Sequence, residues 1–164
     1  MSTNSNFKNS PEEFLDPLSD YEPKQYRNPL EEALAEESVA AIQSAPVTTI
    51  KPDLPVHAAV KILAGLQVAC LLVEQEGRLV GVFSDRDVLD RVALEYEQVK
   101  NKPVGEFMKT EPVVVYETDS AAAALSVMAV CGYRHVPVVN LTGGVVGIIS
   151  PQRVTEFLRR HVFA

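Results

Sequence analysis

Sliding the chain against itself by 66 residues aligns its two halves without a gap. Pro46-Val47 falls on Pro112-Val113, Asp53 on Asp119, Val73 on Val139, Gly77 on Gly143, Val80-Gly81 on Val146-Gly147 and Ser84 on Ser150. Where identity fails, apolar character holds: Ile42 falls on Met108, Ile62 on Met128 and Val82 on Ile148. One spacing kept from Ile42 to Ser84 marks an internal duplication, and a duplication governs the whole fold.

Each copy reads as a βαββα unit. A short apolar strand (Val47–Ile50; Val113–Tyr116) precedes an aspartate, Asp53 or Asp119, expected to accept the free amides of a helix's first turn. The helices follow over Leu54–Leu66 and Ser120–Cys131, with Val56, Ala59, Val60 and Leu63 at helical spacing in the first. Two strands then flank a turn: Ala69–Glu74 with Leu79–Ser84, and His135–Asn140 with Val145–Ser150. Gly77 and Gly143-Gly144 supply the permissive backbone of that turn. Closing helices are expected over Arg86–Tyr96 and Gln152–Val162, and a leading helix over Leu30–Gln43. The fold class is therefore α/β (α+β), with an N-terminal acidic arm over 1–37, a first repeat over 38–98 and a second over 104–164. A unit this small is marginal alone. Packing two sheet faces together buries them and creates a pseudo-two-fold axis with two related clefts.

At 164 residues and 46 % apolar composition, the chain has room for two small units sharing an interior. No apolar run approaches the roughly 20 residues of a membrane helix, and Met1–Ser10 is too polar for a secretory signal. A soluble, cytoplasmic protein with no membrane partner is expected. The net charge of −7 sits mostly in residues 1–37, where nine acids face three bases. The near-neutral remainder shows no Lys/Arg cluster, which argues against a nucleic-acid partner. Cys70 and Cys131 lie in apolar stretches without a partner at metal spacing, so both are expected to be buried thiols. Phe14, Leu15, Leu18, Tyr21 and Tyr26 make residues 1–29 more apolar than an idle tail, and docking of this arm is expected.

The segment Gly81-Val-Phe-Ser-Asp-Arg-Asp87 is the informative one. A buried strand ends at Ser84 and a helix begins at once, where free amides favour anions. Asp87 projects from the first turn, placed to accept hydrogen bonds from a ribose diol. The competing interpretation is a capping box, with Ser84 and Asp87 serving only the helix.

The doubled pattern resembles the CBS domain (the cystathionine β-synthase regulatory domain), which usually occurs as a tandem pair called a Bateman module. The resemblance is carried by Val104-Gly-Glu-Phe-Met108 leading into Pro112-Val-Val-Val115, by Arg134-His-Val-Pro-Val-Val139 and by Gly81–Asp87. It implies an adenosine nucleotide in a cleft between units. Ser84 and Asp87 would then grip the ribose, with Arg86 beside them and Val82 as the floor. Pro112, Val113, Val114, Tyr133 and Pro137 would form the adenine slot, and Arg134 and His135 would meet phosphate. AMP, ADP or ATP is favoured over S-adenosylmethionine, because the nearby charges are basic. The resemblance also implies a homodimer through the Leu54–Leu66 and Ser120–Cys131 helices with the two terminal helices.

The second repeat departs from the pattern. Its segment is Gly147-Ile-Ile-Ser-Pro-Gln-Arg153, and arginine has no acceptor to offer a diol. That cleft is expected to be empty or to hold a bare anion, leaving one nucleotide per chain. No nucleophile–base pair or Rossmann fingerprint can be inferred, so the function expected is non-enzymatic: a regulatory signal-transduction module acting on a separate, unidentified effector protein. The alternatives are a structural dimerisation module with a vestigial site, or a sensor of S-adenosylmethionine or NAD(H).

Overall fold

The computed structural model describes residues 21–163. Phe14, Leu15 and Leu18 of the expected docking arm lie outside them. The chain begins with α1 (Pro29–Glu36), a 3₁₀ turn (Val39–Ala41) and β1 (Gln43–Ser44). The first unit follows: β2 (Thr49–Ile50), α2 (Val56–Leu66), β3 (Cys70–Gln75), β4 (Arg78–Ser84), α3 (Asp85–Asp87) and α4 (Tyr96–Val99). A 3₁₀ turn (Val104–Glu106) and β5 (Lys109–Thr110) lead into the second unit. This comprises β6 (Val115–Tyr116), α5 (Ala121–Cys131), β7 (Val136–Val139), β8 (Val145–Ile149) and α6 (Pro151–Val162).

The sheets run β2-β3-β4-β5 and β1-β8-β7-β6. Each is completed by the other unit's leading strand. The duplication assigns 38–44 to the first unit, yet β1 pairs antiparallel with β8, while β5 pairs antiparallel with β4. The two crossings differ by one residue. Thr110 opposes Gly81, but its counterpart Ser44 opposes Ile148 rather than Gly147. Both are seated on a glycine, because a Cβ on Gly81 would lie 2.9 Å from the Lys109 carbonyl and one on Gly147 2.9 Å from the Ser44 carbonyl.

The cores follow the crossings. In the first, Val104 joins Ile50, Val56, Ala59, Leu63, Leu71, Val73, Phe83, Val92 and Val99. In the second, Ala33, Val39 and Ile42 join Val115, Ala121, Ala124, Val136, Val138, Ile149 and Phe157. Backbone bonds tie each lead to the opposite unit: Val39 N–H donates to Asp119 O and Ala121 N–H to Glu37 O, both at 2.8 Å. Val104 N–H donates to Leu54 O at 2.8 Å and Val56 N–H to Lys102 O at 2.9 Å.

Several expected elements are corrected. The leading helix stops at Glu36 instead of reaching Gln43, because Val39 and Ile42 must enter the opposite core and β1 must extend. Asp53 does not cap α2, which starts two residues later behind Pro55 with no side-chain cap. Ser120, not Asp119, caps α5: its Oγ accepts from Ala123 N–H at 3.2 Å, while Asp119 Oδ2 accepts from Tyr116 N–H at 2.8 Å. The first unit's closing helix is broken. A π-helical stretch (Val88–Val92) and a 3₁₀ turn (Ala93–Glu95) separate α3 from α4, whereas α6 is continuous. Cys131 is exposed and Cys70 half-buried, so only Cys70 approaches the enclosed thiol expected of both.

Candidate functional site

At the end of β4, Ser84 and Asp87 are bonded to each other. Asp87 Oδ2 accepts from Ser84 N–H at 2.8 Å and from Ser84 Oγ at 2.7 Å, while Asp87 N–H donates to Ser84 Oγ at 3.3 Å. This is the reciprocal capping box. Arg86 is exposed and lies 3.6 Å from Asp90. Val82 is half-buried between Leu72 and Lys109. Of the expected adenine-slot residues, Val113 is 38 % exposed and Pro137 is buried in β7 opposite Ile148. Pro112 and Val114 are half-buried, and Tyr133 lies under the Lys109 ammonium, 5.0 Å from its ring centroid.

A cavity of about 680 Å³ opens in the related cleft, the one expected to be empty or to hold a bare anion. One wall is Pro46, Val47 and Thr48 with Leu66–Leu72; the other is Ile148, Ser150, Pro151 and Gln152, and Ser44, Arg134 and His135 complete it. The 66-residue register explains this lining. Pro46, Val47, Thr48, Gln67, Val68, Ala69 and Leu71 are the counterparts of Pro112, Val113, Val114, Tyr133, Arg134, His135 and Pro137. Ile148, Ser150 and Gln152 are likewise those of Val82, Ser84 and Arg86. Of the expected residues themselves, only Arg134 and His135 line this cavity. Ser44, Leu66, Cys70, Leu72 and Pro151 line it as well and are counterparts of none of the expected residues.

The volume suits a small organic ligand. An apolar ring would meet Val47, Ala69 and Ile148, and polar groups would meet Thr48, Ser44, Ser150 and Gln152. No aspartate or glutamate is among the lining residues. His135 is held below its ordinary pKa chiefly by burial and by the Arg134 charge, with Asp85 opposing. Burial, with Asp85 and Asp87 behind it, pushes the Cys70 thiol up to about 12, so this thiol is a neutral wall rather than a nucleophile. Among the described residues no group of three His, Cys, Asp or Glu is placed to hold a metal. No helix among them is long and apolar enough to cross a membrane.

Arg153 stands where Asp87 stands in the first unit. Its amide donates to Ser150 Oγ at 3.4 Å, but its side chain turns to β1, where Nε donates to Ser44 Oγ at 2.8 Å.

A family model described as the CBS domain matches residues 39–94 and 104–160. The CBS domain-containing protein CBSCBSPB1 of Arabidopsis thaliana is 29 % identical over 125 residues, covering 76 % of this chain and 23 % of that protein. The chain thus spans less than a quarter of that relative. The crystal structure of CBSX2 in complex with AMP superimposes with a TM-score of 0.67 at 25 % identity, covering 76 % of this chain and 97 % of that one. The CBS domain pair of protein MJ0100, crystallised with 5′-methylthioadenosine and S-adenosyl-L-methionine, superimposes with a TM-score of 0.65 at 25 % identity. It covers 74 % of this chain and 94 % of the other.

Proposed function

The chain belongs to the CBS-domain family, and from that premise we propose that it is a regulatory module that senses an adenine nucleotide between its two units without transforming it. The observation that carries this is the 680 Å³ cavity, one wall of which is the start of the first unit and the other the Gly-x-x-Ser segment of the second. Support comes from CBSX2, which was crystallised with AMP, and from the MJ0100 pair, crystallised with adenosine derivatives.

AMP, ADP or ATP fits better than S-adenosylmethionine. The lining offers the Arg134 charge, His135 as a hydrogen-bond donor and no carboxylate, a surface that favours phosphate over a sulfonium. Output passes to a separate effector protein, and pairing of two chains through α2 and α5 is part of this proposal.

Titration calorimetry with AMP, ADP, ATP, NAD(H) and S-adenosylmethionine tests it. One site per chain is expected, with thermal stabilisation of RT ln(1 + [L]/Kd), about 2.7 kcal/mol at a hundredfold excess over Kd. Gln152→Glu, which puts a carboxylate in the wall, should weaken binding of every phosphorylated ligand. No shift with any of the five would leave the structural-module alternative, which the closed Ser84–Asp87 box already favours for the first cleft.

A further inference from the structure

Arg134 lines the cavity on one side of Ser150, and Arg153 stands at the rim on the other, bonded to the lining Ser44; we propose that the cleft takes an adenosine 5′-phosphate bearing a second phosphate on its ribose 2′ or 3′ hydroxyl. This rests on the nucleotide-binding function proposed above.

Strand β8 runs between β1 and β7. Ser44 opposes Ile148, and His135 precedes Val136, which opposes Ile149, so the two stand on opposite sides of the end of β8 and two residues apart along it. Two strand spacings separate those flanks, about 10 Å. On the β7 side stand Arg134 and His135; on the β1 side stands Arg153, tethered through Nε to Ser44 Oγ at 2.8 Å. A ligand lying across Ser150 therefore meets positive charge at two separated points, which suits phosphates at two separate positions rather than one chain of them.

The chemistry at the β1 flank points the same way. At the equivalent position the first unit has the Asp87 carboxylate, folded back on Ser84, whereas the second has a guanidinium on a backbone turn with the same serine cap. A guanidinium has donors only, so a diol can serve it merely as a neutral acceptor, whereas a phosphate gives charge-assisted and bidentate bonds. The same exchange of acid for arginine accommodates a 2′-phosphate in dinucleotide folds. The tether occupies Nε alone, and Glu156, one turn along α6, is paired with Arg159 at 2.8 Å.

Calorimetry at fixed ionic strength with AMP, ADP, adenosine 2′,5′-bisphosphate and adenosine 3′,5′-bisphosphate tests this. ADP controls for charge, because both its phosphates sit at one end. At least one bisphosphate should bind about tenfold tighter than AMP and ADP, and the preferred isomer tells which hydroxyl carries the phosphate. Arg153→Met should abolish that preference, bringing both bisphosphates down to the affinity that AMP shows for the same variant, and Ser44→Ala, which frees the tether, should reduce it. Thermal melts of both variants confirm folding. If AMP or ADP binds as tightly as both bisphosphates, or Arg153→Met keeps the preference, the inference fails while nucleotide sensing stands. If none of the four ligands binds, both fail together.

Discussion

Gly147 lies directly beneath Gln43. A methyl group on Gly147 would collide with Gln43 Oε1 and sit 2.9 Å from the Ser44 carbonyl. The crossing strand is thus held at a distance that only glycine permits. Gly147→Ala should lower stability by about 1–3 kcal/mol in urea denaturation, and should weaken ligand binding too, because Ser44 lines the cavity. Gly65→Ala is the counter-test. It lies within α2, with nothing within 4 Å of its would-be Cβ, and should stabilise by about 0.5–1 kcal/mol.

The Ser84–Asp87 box separates capping from ligand contact. Asp87→Ala removes the acceptor for Ser84 N–H and should cost about 1 kcal/mol of stability. With the ligand in the cavity beside Ser150, nucleotide affinity should not change measurably. A large loss of affinity in calorimetry would instead place the nucleotide at Asp87.

His135 makes stability depend on pH. Its folded pKa is depressed by burial and Arg134, so below the unfolded value of about 6.5 the unfolded chain binds more protons. Its contribution is therefore complete above that value and is lost as pH falls towards the folded pKa. Urea midpoints between about pH 5 and 7 should fall with pH, and His135→Asn should flatten that slope. A phosphorylated ligand in contact with His135 would raise its pKa, so binding should take up protons and tighten on acidification.

The two cysteines should differ sharply in reactivity. Cys70 is held neutral by burial and two carboxylates, whereas Cys131 is exposed at the end of α5. Iodoacetamide followed by peptide mass mapping should label Cys131 first. Ligand in the cavity should slow Cys70 further, because Cys70 lines it.

The leading helix is structural for the second unit. Ala33 is 5 % exposed and sits in that unit's core. Ala33→Asp should cost about 2 kcal/mol or more, while Ala35→Asp on the exposed face should be near neutral. Equal effects in thermal denaturation would show that α1 is not docked as described.

Much of this architecture was legible because the chain states it twice. The bodies of α2 and α5, the paired β3/β4 and β7/β8, and the turn glycines were each read from two independent copies. Gly77 and Gly143 do adopt positive φ, at 74° and 85°. The crossings were not legible. A two-residue strand such as Gln43–Ser44 carries no pattern that names its partner, and alanine and glutamate around it mimic a helix. Helix starts were missed by one or two residues, since Ser120 and Asp119 are both competent caps and local backbone geometry decides between them. At the cleft, the residue types were readable to within the pseudo-symmetry. Arg153 and Asp87 could be told apart, but not where each side chain turns. One swings to Ser44 and the other folds back on Ser84, and this depends on the neighbouring strand's register rather than on local composition.

The exchanged edge strands have a consequence for how the molecule can be cut and recombined. Severing the chain in the connector at 100–103 yields two half-molecules, each lacking its own edge strand and carrying the other's. Neither half can complete its sheet alone, yet a mixture holds every strand needed for complementation. The same logic applies between whole chains. If the connector straightens, one chain's front half can clasp another's back half with the contacts outside the connector retained, giving an intertwined dimer that loses only bonds such as Val56 N–H to Lys102 O.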